Sequence, residues 1–114
     1  MLGWWQWAPC AANWPGHPTD RYAGPWNTKT KNKILLINNV YDPADRYQYN
    51  AQATERLLGN AVLLTHASYG HPAYALPSKC IDSWRVRYLV NLQTPPRRTV
   101  CAADQAPFQA AGSP

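Results

Sequence analysis

The chain has 114 residues, 46% of them hydrophobic and 12% aromatic, which suits one small domain with a core and excludes two full ones. Eleven Lys and Arg against six Asp and Glu leave a net charge of +5 dispersed along the sequence, so charge alone does not point to nucleic acid. Eleven prolines and six tryptophans exclude a coiled coil or a low-complexity linker, and no apolar run reaches the length of a membrane span, so no membrane partner is expected.

Residues 1–33 read as an irregular arm, because Pro9, Pro15, Pro18 and Pro25 with Gly3, Gly16 and Gly24 interrupt every period. Trp4, Trp5, Trp7, Trp14 and Trp26 in that arm need burial against something. The run Lys33-Ile34-Leu35-Leu36-Ile37-Asn38-Asn39-Val40 is short, β-branched and nearly continuous, as in a strand covered on both faces of a parallel sheet. A helix over about 46–58 follows, with Asp45 as its cap, Tyr47, Tyr49, Ala53, Leu57 and Leu58 at helical spacing, and Gly59 as a left-handed stop. Ala61-Val62-Leu63-Leu64-Thr65-His66 is a second apolar run, and the crossover rule makes the two strands parallel. Ser78 is placed to cap a second helix carrying Ile81, Trp84, Tyr88, Leu89 and Leu92 on one stripe, ended by Pro95-Pro96. The tail to Pro114 reads as loop.

The fold class is therefore α/β: a parallel strand-helix-strand unit plus a C-terminal helix over 34–114, behind the arm at 1–33. Two strands and two helices leave strands this apolar short of cover, so more sheet is expected from polypeptide beyond this chain.

Cys10, Cys80 and Cys101 have no CxxC spacing and no paired histidines nearby, which argues against zinc. A bridge between Cys80 and Cys101 would close a loop rich in Pro and Arg, worth about 3 kcal/mol in the chain-entropy picture, and would imply an oxidising compartment with Cys10 left over. Three reduced thiols are the alternative. The N-terminal Met1-Leu2-Gly3-Trp4-Trp5-Gln6-Trp7 has no signal-peptide character, so an export address, if used, is expected outside this chain.

In open α/β sheets, reactive groups collect beyond the carboxyl ends of the strands. Asp42, in Tyr41-Asp42-Pro43, follows the first strand, and His71, in Ser68-Tyr69-Gly70-His71, follows the second. A carboxylate beside an imidazole is the orienting half of a nucleophile-base-acid relay, in which the acid holds the base in one tautomer. Pro43 stiffens the acid loop and Gly70 permits a tight turn before the histidine. His66 and His17 read as structural or solvated, and Asp45 and Asp82 as helix-terminal charges. No Gly-x-Ser-x-Gly elbow occurs; His66-Ala67-Ser68-Tyr69-Gly70 lacks the first glycine and follows the acid, so Ser68 is not the expected nucleophile.

These residues resemble the TAP-like C-terminal region of α/β-hydrolase peptidases, similar to secreted tripeptidyl aminopeptidases. The resemblance runs over about residues 10–108, through Cys10 with Trp14-Pro15, Tyr22-Ala23-Gly24-Pro25-Trp26, Thr30 to Leu36, Asp42-Pro43, Leu58-Gly59-Asn60-Ala61, Gly70-His71, Ser78 with Cys80, Tyr88-Leu89, and Thr99-Val100-Cys101 with Pro107-Phe108. Where the family pattern has a Thr-Pro pair one residue after the acid, this chain has Ala44-Asp45-Arg46. The resemblance implies that Asp42 is the acid and His71 the base of a serine hydrolase acting on peptides from their free N-termini, with no cofactor. It implies a secreted or cell-envelope location and a partner, an N-terminal hydrolase portion that bears the nucleophile, without which the chain is inert. From a different class, the tryptophans with dispersed Arg would suit a non-catalytic module that stacks on carbohydrate or single-stranded nucleic acid, although nucleic acid is not the expected partner.

Overall fold

A computed structural model describes residue 19, residues 21–74 and residues 76–108. Trp4, Trp5, Trp7, Trp14, Cys10 and His17 lie outside the described residues. Within residues 21–33 there is no helix or strand, and Trp26 rests edge-on against Tyr22 with ring centroids 4.9 Å apart while staying half exposed.

Among the described residues, three parallel strands form one sheet in the order β1 (Ile34–Tyr41), β2 (Ala61–Tyr69) and β3 (Val100–Ala102). β3 corrects the expectation that the tail is only loop. Three residues are too few to show a period, and Val100-Cys101-Ala102 is recruited by its neighbours: β2 lies alongside, with the Thr65 amide donating to Thr99 O at 3.0 Å. β2 also runs three residues further than the apolar run 61–66, since Ala67, Ser68 and Tyr69 continue the ladder.

The helix after β1 begins with a π-helical turn, Tyr47–Ala51, and continues as α1, Gln52–Leu57. Its ends differ from expectation. Asp45 does not cap it; no side chain does, and Asp45 is drawn instead to the amides of Asn38 and Asn50. Gly59 is not a left-handed stop, because Leu58 already leaves the helix in an extended conformation. What Gly59 meets is close packing: a Cβ there would sit 2.9 Å from the carbonyl oxygen of Asn27.

α2 (Lys79–Asn91) starts at Ser78, whose Oγ accepts from the Ile81 amide at 3.4 Å, as the sequence predicts. It ends at Leu92, in the left-handed conformation with φ of 56°, ahead of Pro95. The predicted stripe is only half used. Ile81 is buried with Leu64 and Cys101, and Trp84, Leu35 and Ile37 pack against that cluster, while Tyr88 Oη donates to Lys33 O at 2.8 Å. Leu89 and Leu92 are exposed, because the apolar packing of α2 is made by Ile81 and Trp84 in its earlier turns.

Alternation along the strands assigns the two faces. Leu35, Ile37 and Asn39 share a face with Val62, Leu64 and His66, and α2 covers it. Asn38 and Thr65 lie on the other face, toward the π-turn: Asn38 Nδ2 donates to Asp45 Oδ2 at 3.1 Å and Tyr47 Oη is bonded to Thr65 Oγ1. β2 is buried on both sides from Ala61 to His66, as its apolar run requires, whereas Ile34 to Ile37 of β1 are half buried. Leu63 precedes the short β3, so its amide has no strand partner there; Glu55 Oε1 accepts from it at 3.0 Å.

Cys80 and Cys101 are joined in a disulfide across 5.6 Å between Cα atoms, the bridged one of the two readings that the cysteine count left open. It ties the first turn of α2 to β3, and Ser78 Oγ reinforces the tie by donating to Ala102 O at 2.7 Å.

Candidate active site

Because β1 and β2 are parallel, the loops that leave their carboxyl ends emerge on one edge of the sheet. The Gly70 amide donates to Tyr41 O at 3.3 Å, which pins the second loop to the first. Between Asn39 and Tyr41 the register slips: Asn39 pairs with His66 but Tyr41 pairs with Tyr69, so β2 carries one extra residue. Such a bulge re-aims the side chains that follow it. Here it sets the rings of Tyr41 and Tyr69 in a stack at 4.6 Å, half exposed on the rim beside the two loops.

Asp42 begins the turn after β1. Its Oδ1 accepts from the amides of Ala44 and Asp45, both at 2.9 Å, a local closure typical of Asp at turn starts and stiffened by Pro43. The same carboxylate meets His71: Nδ1 lies 2.8 Å from Oδ2 and 3.0 Å from Oδ1. The Asp42 side chain is 1% exposed and that of His71 51%, so the carboxylate is buried and the imidazole faces outward. Burial alone would raise the Asp42 pKa, but the Asp45 amide, the His71 ring and the Ala44 amide together outweigh it and hold the carboxyl below its ordinary value. An ionised carboxylate accepts only, so His71 Nδ1 donates, and in a neutral ring it is Nε2 that carries the free lone pair.

Gly70 makes this possible by adopting φ of 96°, where a side chain would strain the backbone, and so turns the chain directly after the Tyr69 end of β2. Asp45, the second carboxylate close by, is oriented away from the imidazole: its oxygens accept from Asn38 and Asn50. His66 is fully buried, with Nδ1 at 2.9 Å from Ala73 O, which agrees with a structural role. Asp82 pairs with Arg85 at 3.0 Å in the first turn of α2. Among the described serines, Ser68 donates to Tyr69 O and Ser78 to Ala102 O, and none is hydrogen-bonded to His71. Among the described residues no group of three or more His, Cys, Asp or Glu is arranged to hold a metal ion.

Two residues that sequence reasoning passed over are Asn38 and Asn39. Both are buried, Asn38 holding Asp45 and Asn39 holding the carbonyls of Gly70 and Pro72. The available signal was their chemistry: consecutive amides inside an apolar strand must find partners, and they stand just upstream of Asp42.

A family model described as TAP-like protein, of the α/β-hydrolases, matches residues 3–101. The chain belongs to that family. The TAP-like assignment agrees with the resemblance read from the residues and with a small parallel sheet flanked by helices. No curated protein and no solved structure matches the chain. In this TAP-like unit a cavity of roughly 390 Å³ opens beside Asp42, with Tyr41, Arg46, Tyr47 and Tyr49 among its walls.

Proposed function

We propose that this TAP-like chain supplies the acid and the base of a secreted serine α/β-hydrolase, and that the serine nucleophile and oxyanion hole are carried by polypeptide outside these 114 residues. The observation that carries the reading is the Asp42–His71 hydrogen bond at 2.8 Å, with the acid buried and the base half exposed. In the proposed reaction the serine Oγ attacks the carbonyl carbon of a peptide bond and gives its proton to His71 Nε2. Asp42 stabilises the imidazolium so formed. The C–N bond then breaks as His71 passes that proton to the leaving amine, and an acyl-serine ester remains. Water, deprotonated by the same nitrogen, attacks the ester; the serine leaves with the returned proton and the acid product is released.

Peptides held by their free N-termini are the proposed substrates, by likeness to the TAP-like family. An extracellular setting is supported by the Cys80–Cys101 bridge, since such bridges persist where thiols are not kept reduced. The test is reconstitution: the chain is combined with the elbow-bearing N-terminal portion of a TAP-like hydrolase and assayed on a short peptide amide. Hydrolysis is expected, falling at least 10³-fold with His71→Ala, on the order of what loss of a relay member costs. Undiminished hydrolysis by the His71→Ala assembly would overturn the proposal.

A further inference from the structure

We propose that Asn39 is the positioning residue of this site: by gripping the two backbone carbonyls that flank His71, it sets the direction in which the imidazole meets Asp42. The inference rests on the reading of His71 as the base, and deepens it.

Asn39 lies on β1, on the face where His66 is its cross-strand partner, and both side chains are fully buried. Asn39 Nδ2 donates to Gly70 O at 2.7 Å and to Pro72 O at 3.1 Å. The amide has one permissible orientation, because the flipped form would press Oδ1 against two carbonyl oxygens. Its neighbour continues the pattern, with His66 Nδ1 donating to Ala73 O at 2.9 Å. Three carbonyls of the loop, at Gly70, Pro72 and Ala73, are thus held by two adjacent side chains on the rigid strands, and His71 is suspended between the first two.

The choice of residue is telling. Asn is a poor strand former, its burial is costly without partners, and its Oδ1 has no hydrogen bond among the described residues, so an apolar residue would serve the strand better. What only a two-proton donor supplies is a grip on both carbonyls at once. Asp42 is stiffened separately by the Ala44 and Asp45 amides, so each half of the pair is anchored by its own hydrogen bonds and the 2.8 Å contact follows from two rigid mounts.

The experiment reads the His71 ring by ¹⁵N NMR in the whole chain, at a pH where the ring is neutral, with Asn39→Asp and Asn39→Ala beside the wild type. In the wild type, His71 is expected as a single tautomer protonated at Nδ1. Asn39→Asp keeps the shape but removes both donors, and Asn39→Ala removes them without adding charge. Each folded variant is expected to show a mixture of the two tautomers, and in the reconstituted hydrolase kcat is expected to fall at least 10-fold with KM changed less than twofold. Should Asn39→Asp not fold, Asn39→Ala decides. A folded Asn39→Ala chain with the wild-type tautomer would overturn the proposal, as would a wild-type ring that already populates both tautomers. A shifted tautomer in the variants, together with no hydrolysis by the wild-type assembly, would uphold Asn39 and discard the hydrolase reading.

Discussion

Asp42 does two jobs with one carboxylate. It closes its own turn through two amides and it orients an imidazole 29 residues away. The consequence is a stability that depends on acid. Its pKa is depressed by the folded state, so its contribution is fully present above the unfolded value of about 3.9 and is lost as pH falls through the lower folded value. Asn at this position cannot ionise and has no such dependence. Urea midpoints of the wild type and Asp42→Asn are therefore expected to differ most near neutrality and to converge as the pH is taken below about 4; a constant gap would contradict the origin given for the depression. The residue types at 42 and 71, and their places after two apolar runs, were legible in the sequence because turn chemistry is local. The work of Asn38, Asn39 and Asp45 was not, since each is decided by what the opposite loop or helix offers it.

At the scale of elements, the least self-sufficient piece is β3. Three residues cannot hold a strand by their own propensity, and β3 is kept by the β2 ladder on one side and by the Cys80–Cys101 bridge to α2. Replacing both cysteines with serine is expected to lower stability by about 3 kcal/mol, read from the urea midpoint, in line with a closed loop of this length. The same variant should show faster hydrogen exchange at the Thr65 amide, which donates to Thr99 O just ahead of β3. Unchanged exchange there would mean that the ladder alone holds β3. This also explains why the tail read as loop: its strand character comes from a covalent tie and a neighbour, neither of which has a periodic trace. α2 teaches the converse lesson. Its capping serine was readable because Ser78 acts within three residues, yet its apolar stripe overstated burial, since Leu89 and Leu92 find nothing to pack on among the described residues.

For the whole molecule, the sheet is asymmetric. Among the described residues, β2 is central and buried, β3 is short, and β1 stands at an edge with Ile34 to Ile37 half covered. An exposed apolar edge strand is a position that proteins ordinarily pair or shield. If the nucleophile-bearing polypeptide of the proposed assembly adds its sheet at this edge, the β1 amides that point away from β2 should exchange more slowly in the reconstituted assembly than in the chain alone. Equal exchange would place the junction elsewhere on the molecule. The sum of these scales divides along a physical line. By itself the sequence determined the α/β class, the two main parallel strands, the helices between and after them, and the carboxylate and imidazole that follow the strands, because hydrophobic period and turn chemistry act over a few neighbouring residues. Only the tertiary structure decided the third strand, the bridge, the bulge that stacks Tyr41 on Tyr69, and the grip of Asn39 on the His71 loop. Those depend on partners some 21 to 35 residues apart along the chain, and a hydrogen bond or a covalent link between distant segments leaves no pattern in either one.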